Sequence, residues 1–169
     1  ILSGMFLTMY YVPDVENAWK SVYYLQNEVA FGEIVRGMHH WGASLVIVMM
    51  FLHTLRVFFT GSYKKPRELN WIVGVGIFGV MMGLGFTGYL LPWDMKALFA
   101  TKVGIEIAAS VPFIGEYIKI LLAGDSTILG AQTLTRFFAI HVFFLPAALF
   151  ALLAAHFIMI RRQGISGPL

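Results

Sequence analysis

Three long apolar runs, at approximately 34–59, 71–91 and 134–160, constrain this chain more than any other feature. Each meets the length of about 20 residues needed to cross a bilayer core about 30 Å thick. A segment in hydrocarbon must satisfy its backbone internally, so each run reads as an α-helix. Composition agrees, with 59% hydrophobic and 12% charged residues, against about a quarter charged in ordinary soluble domains. A fourth apolar segment, 1–12 (ILSGMFLTMYYV), is half a span and reads as the tail of a helix whose beginning is missing. A cleaved signal peptide fits it poorly, because no basic n-region or small-residue cleavage site is visible. The expected fold is all-α, an integral-membrane four-helix bundle with its first helix truncated.

Between the spans the sequence predicts interfacial structure on one side. Residues 13–30 are too polar to cross, and Trp19, Val22, Tyr23 and Leu25 are expected along one side of a short helix at the membrane surface. In the turn GSYKKPRELN, Pro66 prevents simple continuation of the second span. Residues 92–131 form a long second connection, with amphipathic helices expected at about 95–110 and 113–123. Val111-Pro112 separates them and Ala123-Gly124-Asp125 closes the second. A connection of this length is more often functional than slack. The whole chain, 1–169, reads as one domain.

Charge orients the bundle. One set of helix ends carries Arg56, Lys64, Lys65, Arg67, Arg161 and Arg162 against the single acid Glu68, while the opposite segments dilute their basic residues with more acidic ones. The positive-inside rule makes the first set cytoplasmic and the segments 13–30 and 92–131 outer. No arginine- or lysine-rich arm extends beyond these flanks, which argues against a nucleic-acid partner. There are no cysteines, so no disulfide or thiolate-ligated centre resides in these residues.

Histidines are the chemistry-bearing residues of the spans. His39 and His53 are fourteen residues apart, and His141 and His156 fifteen. At 100° per residue the second ring falls about 40° short of the first in one case and about 60° beyond it in the other. Either spacing keeps both imidazoles on broadly one face, roughly 21–22 Å apart along the axis. The two helices run the same way, so His39 shares a depth with His141 near the outer face, and His53 shares one with His156 nearer the inner face. Intramembrane ionisable groups are costly and usually functional. Two imidazoles at each of two depths suit two bis-histidine haems. A zinc or copper site would gather its ligands at one depth instead. His40, thirteen residues before His53, falls on the opposite side and is not expected to ligate.

Other residues support this reading less specifically. Arg36, one turn before His39, is placed either to meet a haem propionate or to anchor the helix at the interface. The third span carries Gly74, Gly76, Gly79, Gly83, Gly85 and Gly88. Gly74 and Gly88 repeat the fourteen-residue interval, as two macrocycles stacked against the helix would require. Helix packing through small residues accounts for such glycines equally well.

The stretches RGMHHWGASLVIVMMFLHTLRVFFTGSYKKPRELNW, GFTGYLLPWD and QTLTRFFAIHVFFLPAALFALLAAHFIMIRRQGISGPL resemble the cytochrome b/b6 family of quinol-oxidising complexes. The resemblance covers essentially the whole chain. The histidine spacing and the end at GISGPL are similar to the short split form, in the style of the menaquinol–cytochrome c reductases of Gram-positive bacteria. That resemblance implies two non-covalent haem b groups, the outer held by His39 and His141, the inner by His53 and His156. It makes Arg36 a propionate ligand and Gly4, Gly74 and Gly88 haem-facing. It puts Phe99, Ala100 and Val103 in part of the outer quinol pocket, Arg136 near the outer haem, and Arg161 near the inner quinone-reduction side.

The same resemblance implies a bacterial cell membrane rather than a thylakoid, a menaquinone substrate and a dimeric complex. Its partners would be membrane lipid, a companion subunit carrying the remaining helices, a Rieske iron–sulfur protein and a c-type cytochrome. The implied function is electron transfer across the membrane, between outer quinol oxidation and inner quinone reduction, with proton translocation. Three departures from the family's pattern stand out. The opening half-span lacks one haem-facing glycine, together with the cysteine region that in short forms tethers an additional haem. His40 stands where chloroplast-type relatives have arginine. The PEWY-type segment belongs to the companion subunit. Two other readings compete. A dihaem membrane anchor of a dehydrogenase would lack the long outer segment and the glycine-rich third span. A histidine-relay transporter should show inverted repeats or broken helices, and none is visible.

Overall fold

Why the chain becomes a bundle follows from where helix-breaking residues fall between its apolar runs. The computed structural model describes residues 1–124 and 129–166. Asp125 of the expected stop and Gly167-Pro168-Leu169 of the terminal motif therefore lie outside the described residues. All regular structure among the described residues is helical: α1 Leu2–Thr8, α2 Ala18–Asn27, α3 Gly32–Phe59, α4 Glu68–Leu90, α5 Met95–Ala109, α6 Gly115–Ala123, α7 Ala131–Ala139 and α8 Leu145–Gln163. A single π-helical segment, Ile140–Phe144, joins α7 to α8. Among the described residues three rods are long and apolar enough to span a membrane: Gly32–Phe59, Glu68–Leu90 and Ala131–Gln163.

Local signals start and stop the connecting helices. Asp94, in extended conformation, accepts a hydrogen bond from the Ala97 amide at 2.8 Å and starts α5. Gly124, at φ 87°, takes the left-handed conformation that closes α6. Thr133 Oγ1 accepts from the Gly130 amide and donates to the Ala123 carbonyl at 2.9 Å, stitching the start of α7 to the end of α6.

Helix α4 lies antiparallel to the α7–α8 rod, and glycine spaces the contact. Gly74 faces His156, Gly76 faces Leu152, Gly83 faces Leu145 and Gly88 faces His141. Small residues let the backbones approach, as expected where lipid leaves no hydrophobic drive between helices. The densest packing lies at one end of the bundle, where the connecting helices meet the spans. Leu90, Ile105, Ala123 and Phe137 form a buried cluster flanked by Phe86, Leu91, Trp93 and Leu98, where α4, α5, α6 and α7 converge. By contrast, α3 buries only Gly32 and α8 only Leu149. Gly104 fixes the α4–α5 crossing, because a Cβ there would lie 2.3 Å from Phe86 Cε2.

Two local expectations change. The opening segment is helical only over Leu2–Thr8, with turn bonds through Met9, Tyr10 and Tyr11. Pro13 cannot continue the ladder, and the Tyr11 hydroxyl donates to the Leu91 carbonyl at 2.6 Å, pinning the turn to the end of α4. In α2 the expected single apolar side divides. Leu25 joins Ala18 and Ser21 on the buried face, while Trp19 and Tyr23 stack on each other on the exposed side. Six residues separate Trp19 from Leu25, a rotation of about 120° that puts them on different faces.

Candidate functional site

A lone imidazole in a span is a polar residue seeking a partner; two that face each other form a potential ligand pair. His39 on α3 and His141 in the π-helical segment are brought together with ring centroids 6.3 Å apart and planes at 81°. An imidazole–metal bond is about 2 Å, so two such bonds plus the nitrogen-to-centre distances of both rings span about 6 Å. The outer pair therefore has the separation that one iron between two imidazoles requires. Among the described residues no three His, Cys, Asp or Glu side chains converge, so the donors come as a pair and not as a polydentate cage.

Each outer ring is held by a hydroxyl and a glycine. Ser3 Oγ lies 3.1 Å from His39 Nδ1, and a Cβ at Gly4 would be 3.2 Å from His39 Cε1. Thr87 Oγ1 lies 3.2 Å from His141 Nδ1, and a Cβ at Gly88 would be 2.6 Å from His141 Cε1. Ser3-Gly4 and Thr87-Gly88 are thus two copies of one device, occupying Nδ1 and clearing room for the ring. Sequence reasoning found both glycines and missed both hydroxyls. The available signal was the hydroxyl residue immediately before each glycine.

The inner pair is placed differently. His53 is exposed on α3, and His156 on α8 is partly buried. A Cβ at Gly74 would be 3.5 Å from His156 Cε1, an ordinary contact. Val73 precedes Gly74, so no hydroxyl stands beside it, and His156 Nδ1 has no hydrogen-bond partner among the described residues. Among the described residues the ring contact of the outer pair has no counterpart between His53 and His156.

The π-helical segment reconciles the two spacings. Pro146 has no amide to donate back along the helix, and the Leu145 amide donates to the Ile140 carbonyl five residues back. A π-bulge absorbs one extra residue in its turn. Fifteen residues across one bulge therefore rotate as fourteen do, about 40° short, matching the phase of His39 and His53 on α3.

The other predicted residues fall as follows. Arg36 is partly buried and its Nη1 donates to Gln26 Oε1 on α2. Arg136 Nη1 donates to the Leu121 carbonyl at 3.0 Å and to that of Ile120, closing the end of α6. Beside it Ile120, Leu121, Arg136 and Ile140 line a groove of about 510 Å³. Arg161 is exposed in the last turn of α8, and His40 is exposed on α3. Phe99, Ala100 and Val103 lie on the exposed face of α5, opposite buried Ala97, Thr101 and Ile105. Only Val103 of the three borders the adjacent groove of about 580 Å³, shared with Lys102, Glu106, Ile107 and Ser110. Lys119 pairs with Glu106 at 3.0 Å, tying α6 to α5, and that hydrogen bond raises the Lys119 ammonium above its ordinary pKa.

Comparison with known proteins gives concordant results. A family model described as cytochrome b/b6/petB matches residues 1–164. The chain is 85% identical over 169 residues to the menaquinol:cytochrome c reductase cytochrome b subunit of Geobacillus thermodenitrificans, covering all of this chain and 75% of that protein. It is 48% identical over 168 residues to cytochrome b6 of Heliobacterium modesticaldum, covering 99% of this chain and 78% of that protein. A solved structure titled hyperthermophilic respiratory Complex III superposes with TM-score 0.90 at 33% identity, over 99% of this chain. This chain spans 45% of that chain's length.

Proposed function

This chain belongs to the cytochrome b/b6 family, and on that premise we propose that it is the dihaem cytochrome b subunit of a quinol–cytochrome c reductase, in which it carries electrons across the membrane between an outer quinol-oxidation site and an inner quinone-reduction site, coupled to proton translocation. Membership carries with it haem b, interaction with quinol, integral membrane location and partner subunits. The finer assignments are two haems, menaquinone, a Rieske protein, a c-type cytochrome and a companion subunit with the remaining helices. The bacterial cell membrane fits the Geobacillus relative.

The observation that carries the reading is the facing of His39 and His141 at 6.3 Å. These two imidazoles would hold the outer iron, and His53 with His156 the inner. Haem b, when bound, would supply a reversible one-electron centre whose potential follows the residues that hold it and its burial. The chain's own part is placement and exclusion. Gly4 and Gly88 admit the rings, the apolar spans keep water from both depths, and Arg36, Arg136 and Arg161 are the cations available to haem carboxylates and the inner quinone site. Phe99, Ala100 and Val103 would offer an apolar wall to a quinol ring from the outer face.

A reduced-minus-oxidised optical spectrum with a pyridine haemochrome count on the purified complex tests this. Two protohaem equivalents per copy of this subunit, reducible by menaquinol, are expected. No haem in a folded preparation would overturn the reading.

A further inference from the structure

Thr87 has more to do than fill space. A hydroxyl carries one proton and two lone pairs. Thr87 Oγ1 lies 2.8 Å from the Gly83 carbonyl oxygen, and a carbonyl cannot donate, so the Thr87 proton is committed there. The same Oγ1 lies 3.2 Å from His141 Nδ1. With its only proton engaged, Thr87 can only accept in that second contact, so Nδ1 of His141 must bear the hydrogen. A neutral imidazole has one N–H, which leaves the lone pair on Nε2. Thr87 is 4% exposed, so water does not compete for the contact.

The other histidines lack this constraint. Ser3 Oγ approaches His39 Nδ1 at 3.1 Å, but Ser3 makes no further side-chain hydrogen bond among the described residues, and its hydroxyl can turn either way. His156 Nδ1 has no hydroxyl beside it among the described residues. His141 is thus an imidazole whose Nδ1–H tautomer a hydroxyl with a committed proton dictates. We infer that Thr87 is a positioning residue that fixes His141 as the Nδ1–H tautomer and so would set its donor strength toward the outer iron, an assignment that rests on the outer site proposed above. A ligand whose distal N–H is hydrogen-bonded to oxygen is more basic. A more basic ligand favours the ferric state and lowers the reduction potential.

The test is a redox titration of the whole complex, with low-spin haem EPR, in Thr87→Val and Thr87→Ser. Valine keeps the shape and removes the acceptor; serine keeps the acceptor and removes the methyl group. The expected result is an upward shift of the outer midpoint potential and a moved outer g-value in Thr87→Val. The inner haem should be unmoved, and Thr87→Ser should resemble the unsubstituted complex. Loss of the outer haem in Thr87→Val with retention in Thr87→Ser also supports the inference, because only the hydroxyl differs in kind. An unmoved or lowered outer potential in Thr87→Val, or equal effects in both variants, would overturn it. If the unsubstituted complex holds no outer haem, the site assignment fails instead, and the haem count separates the two cases.

Discussion

At the outer end of the bundle His39 and His141 face each other at 6.3 Å, each with a hydroxyl on Nδ1 and a glycine against Cε1. At the inner end His53 is exposed, His156 Nδ1 is unpartnered among the described residues, and Gly74 stands at ordinary contact distance. The same two rods carry both pairs, so the difference comes from their surroundings. The outer pair sits beside the buried cluster of Leu90, Ile105, Ala123 and Phe137, which immobilises the end of α4 that bears Thr87 and Gly88. The inner pair stands where α3 and α8 have little of their own surface buried. Helix phase alone delivers a histidine to a depth; packing and a hydrogen-bonded neighbour decide how firmly its ring is held.

Glycine substitutions give the sharpest contrast. Gly88→Ala would put a Cβ 2.6 Å from His141 Cε1, Gly4→Ala one at 3.2 Å from His39 Cε1, and Gly74→Ala one at 3.5 Å from His156 Cε1. Overpacking a closely fitted site costs roughly 1–3 kcal/mol. Haem counts on the three variants should therefore show the outer haem largely lost in Gly88→Ala, partly lost in Gly4→Ala, and both haems retained in Gly74→Ala. Equal losses in Gly88→Ala and Gly74→Ala would erase the distinction between the two ends.

A smaller effect is expected from loosening the outer packing without touching a histidine. Gly104→Ala forces a Cβ to 2.3 Å from Phe86 Cε2 and so displaces α5 from α4. Thermal denaturation followed by haem release should show lower stability, by about 1–3 kcal/mol, with the outer haem lost at lower temperature than the inner. Release of both haems together would mean that the outer cluster supports the whole bundle evenly.

The smallest effect belongs to the Lys119–Glu106 pair, which lies on the solvent side of the same outer layer. Exposed ion pairs contribute little. The raised Lys119 pKa means that any contribution is present at neutral pH and fades only as pH climbs through the lysine's own titration. Glu106→Gln should leave haem content and thermal stability at pH 7 unchanged. A marked loss there would show that α6 leans on α5 more through charge than through its apolar face.

Much of this was legible beforehand because it depends on periodicity. The three long apolar runs carried the spans, and the fourteen- and fifteen-residue intervals put four histidines at two depths. Gly74 and Gly88 repeated the interval on a third helix. What escaped notice depends on contacts that periodicity does not encode. Periodicity assigns Ser3 and Thr87 no role, yet their oxygens lie beside Nδ1 of His39 and His141. Periodicity gives no hint of the π-helical turn before Pro146, which absorbs the extra residue. The resemblance puts Arg136 near the outer haem, and its partners among the described residues are the carbonyls that end α6. The face of α2 differs because Leu25 is grouped with the aromatics in the sequence reading, whereas it is buried with the small Ala18 and Ser21.

The pairing of histidines by depth is the central claim, and single-ligand replacements in the intact complex test it most directly. A redox titration of the b-type bands in His39→Leu and, separately, in His53→Leu should each leave one haem at its unsubstituted potential, the inner in the first and the outer in the second. Loss of both haems from a folded complex in either variant, or retention of both, would contradict it.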